Sequence, residues 1–245
     1  MESGIDKAAA LLRVSKRLTV LTGAGMSAES GVPTFRDPDG YWSRFNPAEL
    51  ATPAAFRLDP VKVWEWYRLR RAALRTVEPH DGHGILAAWE KAGRFHVDIV
   101  TQNVDGLHHR AGSARVIELH GRLELARCTA CAYRRDDLDD LGPDPRCPEC
   151  SARLRPGVVW FGESLPEGAF DTAVECVSAA DCLLVIGTSS LVYPAASLSE
   201  IAFARGVPTI EINPSDTPIS DLVSVRIKRG CRETLLSLEA ALAKS

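Results

Sequence analysis

The sequence predicts a doubly wound α/β domain, a parallel sheet with helices on both faces, into which a smaller lobe is inserted. Short apolar runs recur along the 245 residues between helical or polar stretches, a pattern typical of buried parallel strands. Two longer segments interrupt the series, and one of them carries four regularly spaced cysteines. These features favour one large sheet domain with two excursions that form the smaller lobe, and a ligand cleft between the two.

The first predicted strand, residues 18–22, follows a short helix at 8–14 and stops at a glycine turn. In the first excursion, Asp59 and Pro60 suit the N-cap and first turn of a helix over residues 61–77, which is too aromatic and basic for a linker. The later predicted strands are 97–101, 116–119, 183–187 and 208–212. The large domain is therefore expected to comprise 1–40, 90–122 and 155–245, with a helical module at 41–89 and a zinc ribbon at 123–154.

Composition bounds the class of protein. A hydrophobic content of 45% can fill a real core, and a net charge of -3 lacks the basic surface of a dedicated nucleic-acid binder, so no specific nucleic-acid partner is expected. The sequence has no apolar run of membrane-spanning length and no signal-peptide pattern at its start, which predicts a cytoplasmic location without a membrane partner. Seven cysteines fit a reducing compartment, and Cys176, Cys182 and Cys231 are expected to be inert thiols.

Four of the cysteines form the most specific motif of the chain. Cys128 and Cys131 make one C-x2-C pair, Cys147 and Cys150 make a second, and fifteen residues separate the pairs. This spacing predicts tetrahedral zinc, because each pair presents two thiolates and the loop lets the second pair complete the tetrahedron. Four cysteine ligands leave no position for water, so a structural role is expected. The alternative is four reduced thiols that fall at this spacing without a metal.

The glycine turn at residues 23–31 follows the first strand and is expected to open a helix. Glycines there let backbone amides approach a pyrophosphate, and a helix N-terminus adds partial positive charge. The third glycine of the usual dinucleotide motif is replaced by Ala28, so an ordinary glycine turn remains an alternative. Phe35 and Arg36, just beyond the turn, are suited to cover a bound nucleotide.

Polar groups also follow the later predicted strands. Residues 101–105 place two amides and a carboxylate at a strand end, where they suit hydroxyls and a carboxamide, although a simple Asx turn is the alternative. His120 ends the next strand and is either a general base or a structural histidine. Residues 155–163 are extended and aromatic, which suits either a peptide-binding strand or an ordinary edge strand. Small hydroxyl residues at 187–190 suit phosphate contacts.

Six motifs occur in the order in which the sirtuin family of NAD-dependent protein lysine deacylases carries them, and the chain resembles that family from about residue 18 to residue 232. The motifs are GAGMSAESGVPTFR, TQNVDGLH, the LHG around His120, the four cysteines, RPGVVWFGE, and GTS followed by INP. The resemblance implies a Rossmann-type large domain, a zinc-bearing small domain, and acylated lysines of proteins or peptides as partners. NAD would be consumed as a substrate, with release of nicotinamide and O-acyl-ADP-ribose.

The resemblance also implies roles for single residues. His120 would act as the general base and Asn103 as a second catalytic residue. Val159 and the segment Phe161, Gly162 and Glu163 would bind the substrate backbone as a strand. Contacts to NAD are implied for Gly23, Ala24, Gly25, Ala28, Phe35, Arg36, Gln102, Asn103, Asp105, Gly187, Thr188, Ser189, Asn213 and Cys231.

A pair of residues on the predicted helix 61–77 bears on the acyl group. Tyr67 and Arg70 lie three residues apart and so share one helix face, where a phenol and a guanidinium together suit a carboxylate. The alternative is that Arg70 is a solvated arginine on a basic helix. The pair resembles the motif of the sirtuin subgroup that removes succinyl, malonyl and glutaryl groups, and Ala51 matches a small residue that widens its acyl pocket. Desuccinylation with retained deacetylation is therefore the expected activity, and a protein that is mainly a deacetylase is the alternative.

Three rival functions remain open on the sequence. A mono-ADP-ribosyltransferase would use the same nicotinamide cleavage but transfer ADP-ribose to a protein. A non-catalytic zinc-ribbon module would bind nucleic acid or protein without turnover. A conventional dehydrogenase fits least, since it would reduce NAD and release no nicotinamide.

Overall fold

The computed structural model describes residues 3–35, 40, 43 and 45–244. The described strands are β1 (Arg17–Thr22), β2 (His96–Thr101), β3 (Val116–Glu118), β4 (Gly121–Cys128), β5 (Arg134–Asp136), β6 (Leu154–Val158), β7 (Cys182–Ile186), β8 (Thr209–Ile212) and β9 (Val225–Ile227). The described helices are α1 (Gly4–Val14), α2 (Ala24–Ala28), α3 (Pro47–Leu50), α4 (Pro53–Leu58), α5 (Pro60–Leu74), α6 (Asp81–Lys91), α7 (Leu107–Arg110), α8 (Ala169–Ser178), α9 (Ser197–Ala204) and α10 (Cys231–Ala243).

Six parallel strands form the large sheet, in the order β3-β2-β1-β7-β8-β9. Counted along the sheet's own strands, this is the order 3-2-1-4-5-6 of dinucleotide-binding Rossmann folds. The direction of winding reverses between β1 and β7, so a crevice opens beyond their carboxyl ends. The predicted doubly wound sheet is confirmed, and the five predicted strands match β1, β2, β3, β7 and β8 within a residue or two; β9 was not predicted.

The central strands face two different cores, which explains their unbroken apolar sequence. In β7, Leu184 and Ile186 pack into one core with α1, α6 and α10, whereas Leu183 and Val185 pack into the core with α8 and α9. Successive side chains of a strand point to opposite faces, so a strand covered by helices on both faces must be hydrophobic at every position.

The smaller lobe combines a three-stranded antiparallel sheet, in the order β5-β4-β6, with helices α3 to α5. Asp59 caps α5 by accepting a hydrogen bond of 2.9 Å from the Lys62 amide, and Pro60 occupies the first turn, as expected from the sequence. The buried indole of Trp64 donates a 2.8 Å bond to the Leu154 carbonyl. This bond ties α5 to β6, so the helix is held against the zinc-bearing sheet.

Helix α6 lies in the part of the chain that the sequence analysis assigned to the helical module. It packs against β2 and α10, and its Leu86 and Trp89 belong to the core of the large sheet. The exact boundaries between the two lobes stay a prediction.

No helix within the described ranges is both long enough and apolar enough to cross a bilayer.

Three buried histidine rings lie together below the carboxyl ends of β1 and β2. The His83 ring centre lies 4.4 Å from that of His80 and 5.0 Å from that of His108. His108 Nε2 lies 3.1 Å from Thr22 Oγ1, and because that hydroxyl donates to Thr101 Oγ1, the ring nitrogen is the donor. Burial lowers the pKa of His83 to about 2 and that of His108 to about 3. Both rings are therefore neutral in the folded protein.

We expect this cluster to make the fold acid-sensitive. Both folded-state pKa values lie below the ordinary value of 6.5, so the stabilisation is fully present above that pH and is lost as pH falls below it. Each histidine adds a slope of about 1.4 kcal/mol per pH unit. In urea unfolding between pH 7.5 and 5.5, His83→Leu should reduce the acid slope by about half a proton at pH 6.5 and by nearly one proton at pH 5.5. Equal slopes in His83→Leu and the unmodified protein would contradict this explanation.

Candidate active site

The crevice at the reversal of winding is built on backbone contact between two loops. The Gly25 amide donates a 2.8 Å hydrogen bond to the Gly187 carbonyl, which joins the loop after β1 to the loop after β7. A Cβ on Gly25 would lie 2.7 Å from the Gly187 Cα, and Gly187 itself has a φ of +59°. Only glycine permits this approach. The two loops therefore converge at the position where dinucleotide-binding folds hold a pyrophosphate.

A cavity of about 640 Å³ extends from this point into the cleft between the two lobes. A second, smaller cavity adjoins it, and Phe35, Arg70 and Asn103 line both. The residues predicted from the sequence converge here. Those lining the larger cavity are Gly23, Ala24, Gly25, Ala28, Phe35, Ala51, Tyr67, Arg70, Gln102, Asn103, His120, Val159, Phe161, Gly162, Glu163, Gly187, Thr188, Ser189, Asn213 and Cys231, while Asp105 lines the smaller one. Arg36 lies outside the described residues.

Asn103 is buried, and hydrogen bonds hold both its side chain and its backbone. Its side-chain nitrogen donates to the Gly23 carbonyl at 2.9 Å and to Ser27 Oγ at 3.1 Å, and its backbone amide donates to Thr101 Oγ1 at 3.0 Å. The side-chain amide therefore has a fixed orientation, with the nitrogen towards the glycine loop. This arrangement leaves the side-chain oxygen as the acceptor that the site can offer a ligand.

His120 is oriented by a hydrogen bond to the backbone carbonyl of Gln102. Its Nδ1 lies 3.1 Å from the Gln102 carbonyl, which only accepts, so Nδ1 carries the proton and Nε2 carries the lone pair. Burial lowers the pKa of His120, and the bond to Gln102 opposes that shift. The ring is therefore neutral at pH 7, the state that a general base requires.

Asp105 lies in the wall of the smaller cavity. Burial raises the pKa of its carboxyl, while hydrogen bonds from the Leu107 amide and Ser27 and the charges of Arg70 and Arg110 oppose the shift. The Leu107 amide lies 3.0 Å from Asp105 Oδ1. A buried carboxyl beside the Asn103 amide is suited to hold a carboxamide, because it offers acceptors to an NH₂ group.

The segment after β6 runs along the cavity and is held by backbone bonds. The Val159 amide donates to the His120 carbonyl, and the Phe161 amide donates to the Ala51 carbonyl, both at 2.9 Å. Within the described part of the chain, the Val159 carbonyl has no hydrogen-bond partner. This carbonyl is thus available to an extended ligand.

Glu163 stabilises this segment through hydrogen bonds within the protein. Burial acts to raise the pKa of Glu163, but hydrogen bonds from Arg155 and the Trp160 amide outweigh it and lower the pKa. Arg155 makes two bonds to the carboxylate, at 2.6 and 2.8 Å, and lies 3.6 Å over the Trp160 ring. The carboxylate is engaged within the protein, so Glu163 orders the segment that faces the ligand.

Helix α5 supplies the far wall of the cavity. The Tyr67 hydroxyl accepts a 2.9 Å bond from Trp160 Nε1, which leaves its proton available to another acceptor. The Arg70 guanidinium lies among aromatic rings, 4.7 Å from the centre of Trp66 and 5.3 Å from that of Phe35. Arg70 is 7% exposed, so it is not the solvated arginine that the sequence left as an alternative.

The loops after β7 and β8 close the opposite end of the cavity. Gln102 Nε2 donates to Thr188 Oγ1 at 3.0 Å, and Asn213 Nδ2 donates to the Thr188 carbonyl at 2.9 Å. These bonds join the strand ends of β2, β7 and β8 into one polar rim, where Ser189 and Cys231 also face the cavity.

Comparison with known proteins agrees with this geometry. The model of the Sir2 family matches residues 23–194. The chain belongs to the Sir2 family. An NAD-dependent protein deacylase of Thermus thermophilus is 47% identical over 239 residues, which cover 96% of this chain and 93% of the relative. NAD-dependent protein deacylase 1 of Archaeoglobus fulgidus is 46% identical, with 94% and 95% covered.

Solved structures that are similar to this chain include complexes with NAD and with a peptide. A Sir2 homologue in complex with NAD is 44% identical, with a TM-score of 0.91 and coverage of 98% of this chain and 94% of that one. A Sir2 structure with a p53 peptide and NAD is 31% identical, with a TM-score of 0.87 and 98% of each chain covered. This sirtuin thus shares its Rossmann-type fold with proteins that hold NAD, and its own cavity has the polar rim and glycine loops that such a ligand requires.

The four-cysteine motif of the sirtuin is assembled as a metal site. Three of the Sγ···Sγ separations are 3.5, 3.5 and 3.6 Å, close to the edge of a tetrahedron with zinc–sulfur bonds of about 2.3 Å. Cys128 ends β4, and Cys147 and Cys150 precede β6, so a zinc ion there joins two strands of the small sheet. The donor set fits the structural zinc predicted from the sequence.

Several cavity residues escaped the sequence analysis. Leu191 and Tyr193 directly follow the motif after β7, so extending that motif by a few residues would have found them. Glu29 and Trp66 also line the cavity; Glu29 lies inside the motif GAGMSAESGVPTFR and Trp66 directly precedes Tyr67, but nothing in the sequence shows that these two side chains face the site. Tertiary packing alone brings these two side chains to the site.

We expect Gly25→Ala to disrupt the loop contact. The added Cβ would press on the Gly187 backbone, so we expect a loss of about 1–3 kcal/mol in stability and at least a roughly tenfold loss of ADP-ribose affinity. Gly84→Ala is the matched control, because nothing lies within 4 Å of its Cβ position in α6. Urea unfolding and ADP-ribose calorimetry measure both effects. If both variants behaved alike, the close approach would not be the cause.

Cys131→Ser should remove the zinc ion. Because the metal joins β4 to the segment before β6, we expect zinc content to fall by one ion per chain and the melting temperature to fall by roughly 10 °C. Elemental analysis and calorimetry measure the two quantities. Cys176→Ala, which changes a cysteine outside the cluster, should retain the metal. Unchanged zinc content in Cys131→Ser would rule out the assigned ligand set.

Proposed function

We propose that this sirtuin is an NAD-dependent protein lysine deacylase that removes succinyl and malonyl groups and also acetyl groups. The products would be the free lysine, nicotinamide and O-acyl-ADP-ribose. The observation that carries the acyl preference is the placement of Tyr67 and Arg70 in the wall of the cavity that also contains His120. The family membership and the fit of the site to NAD support the deacylase chemistry itself.

The carboxamide of the nicotinamide is assigned to the smaller cavity, whose volume of about 30 Å³ has room for an amide group, and the ring is assigned to the junction with the larger cavity. Asp105 and the oriented Asn103 amide would hold the carboxamide, and Phe35 would cover the ring. NAD, when bound, supplies an electrophilic ribose carbon after nicotinamide has left. Asn103 and Phe35 line both cavities, so they lie at the junction where that carbon would meet the substrate.

The substrate lysine is assigned to the groove beside β6. Its backbone would run along residues 159–162, and the Val159 carbonyl would accept a hydrogen bond from the acylated lysine. β6 is an edge strand of the small sheet, so an extended peptide can lie beside it without displacing another strand. The acyl chain would then enter the cavity towards Ala51 and α5.

His120 would act as the general base on a ribose hydroxyl. Its lone pair lies on Nε2, and its neutral state at pH 7 follows from the lowered pKa. The Gln102 carbonyl fixes the tautomer and stabilises the imidazolium that forms after proton transfer. Closure of the site against water by the aromatic wall would favour attack by the weakly nucleophilic acyl oxygen.

The carboxylate of a succinyl group would meet a site prepared for it. Arg70 is buried at one end of the cavity, so its charge is less screened than that of a surface arginine. The Tyr67 hydroxyl has a proton to donate because its oxygen accepts from Trp160. Ala51, a small residue, leaves room for the longer acyl chain. An acetyl group makes neither polar contact, which explains the expected preference.

The deciding test uses two matched peptides, one with acetyl-lysine and one with succinyl-lysine, followed by mass spectrometry with and without NAD. We expect Arg70→Met to lower kcat/KM for the succinyl peptide by roughly 10–100-fold, as expected for a lost charged hydrogen bond, and to change the acetyl value by less than about threefold. Arg68→Met is the matched control, because Arg68 lies on the same helix but pairs with Asp140.

The possible outcomes separate the alternatives. Equal losses on both peptides in Arg70→Met would refute the carboxylate contact. Loss of acetyl alone by the unmodified enzyme would leave a deacetylase without the acidic preference. A peptide that gains the mass of ADP-ribose would favour the transferase. A cytoplasmic location stays a prediction.

A further inference from the structure

Three potential metal ligands from distant parts of the chain meet beside the glycine loop. Glu29 follows α2, His80 caps α6, and Cys231 is the first residue of α10. Their donor atoms all lie within 4.8 Å of one another. Cys231 Sγ lies 3.1 Å from Glu29 Oε2 and 3.6 Å from His80 Nε2. None of the six sequence motifs contains His80 or pairs it with Cys231, so the cluster arises only in the folded chain.

The spacing matches the coordination sphere of zinc. With a zinc–sulfur bond of about 2.3 Å and zinc–nitrogen and zinc–oxygen bonds of about 2.0–2.1 Å, the tetrahedral sulfur–nitrogen and sulfur–oxygen edges are about 3.6 Å. The observed Cys231–His80 distance equals that edge, and the Cys231–Glu29 distance needs only a small side-chain movement. The Met26 carbonyl lies 3.5 Å from the sulfur but only 2.8 Å from His80 Nε2, which is shorter than a tetrahedral nitrogen–oxygen edge of about 3.3 Å, so the fourth corner is assigned to a water from the cavity.

We propose that Glu29, His80 and Cys231 form a second transition-metal site, which binds Zn²⁺ in the wall of the large cavity. A thiolate with an imidazole favours zinc and similar ions over Mg²⁺ and Ca²⁺, which prefer oxygen ligands. Glu29 and Cys231 line the cavity, so the ion has a route of entry from solvent. The site is separate from the four-cysteine cluster, which uses none of these residues.

Metal binding exchanges protons for the ion. The Cys231 thiol donates to Glu29 in the described state, and this proton leaves to solvent when the thiolate coordinates the ion. His80 Nδ1 accepts from the Gly82 amide at 2.9 Å, so the ring proton is on Nε2, which donates to the Met26 carbonyl. Coordination by Nε2 moves this proton to Nδ1 and breaks the bond to Gly82. One proton is therefore released per ion, and affinity rises with pH.

The site would control NAD binding, an effect that rests on the proposed function. Cys231 and Glu29 line the large cavity, and Cys231 is one of the residues whose contact with NAD the family resemblance implies. An ion held between these two side chains would occupy space at the cavity wall and fix Glu29 just after α2. NAD or ADP-ribose and the ion should then oppose each other, and by thermodynamic linkage each lowers the affinity of the other by the same factor.

The test begins with enzyme that retains its structural zinc and has been freed of loosely bound metal. Equilibrium dialysis against Zn²⁺ should show two ions per chain in the unmodified protein and in Cys176→Ala, but one in Cys231→Ala. Because Cys231→Ala leaves a small gap in the core, Glu29→Gln provides a second variant at an exposed side chain, with an expected affinity loss of roughly tenfold. Co²⁺ in place of the added Zn²⁺ should give a thiolate charge-transfer band that Cys231→Ala lacks.

Two results would overturn the site: one ion per chain in the unmodified protein, or two in Cys231→Ala. Saturating ADP-ribose should weaken binding of the second ion, and an unchanged affinity would overturn the link to NAD. Metal stoichiometry and the cobalt band do not depend on turnover. A protein without deacylase activity that still binds the second ion through Cys231 would thus refute the proposed function and leave this site standing.

Discussion

The rest of the site depends on the close approach of two backbone loops at the point where the sheet reverses its winding. Gly25 and Gly187 touch through main-chain atoms, and no larger residue fits at either position. This contact determines how near the ends of β1 and β7 come to each other. The groups at the nucleotide end of the cavity are placed relative to these two strand ends, because the remaining strands of the large sheet pair outward from them in fixed register.

A continuous set of hydrogen bonds carries this placement to the catalytic groups. His108 donates to Thr22, Thr22 donates to Thr101, and Thr101 accepts from the Asn103 amide. The bonds are buried, and each leaves its neighbour a defined donor or acceptor role. Such a network orients side chains more strictly than apolar packing does, because an unmade bond in the interior is costly. The neutral histidine below it is part of this arrangement, which connects acid stability to the geometry of the site.

Helix α5 has two functions that its sequence does not separate. Trp64 and Arg71 hold it to the small sheet, where the Arg71 guanidinium donates to the carbonyls of Leu123, Asp137 and Asp139. Tyr67, one turn from Trp64, and Arg70, the neighbour of Arg71, lie on the adjoining face and line the cavity instead. The acyl end of the cavity is therefore supported by the zinc-bearing lobe, whereas the nucleotide end is built on the large sheet.

Much of this structure could be predicted from the sequence, because it depends on interactions between residues that are close together in the chain. The apolar runs, the glycine turn, the cysteine spacing and the Asp59-Pro60 cap each depend on residues close in the chain, so the strands, the start of α5 and the zinc cluster followed from pattern. The burial of particular side chains and their convergence on the cavity could not be predicted in this way. That Arg70 lies among aromatic rings, that Trp66 and Glu29 reach the cavity, and that Cys231 meets His80 depend on contacts between segments far apart in sequence. Such contacts are decided by how the layers pack, because a linear pattern records which face a residue occupies but not what lies opposite it.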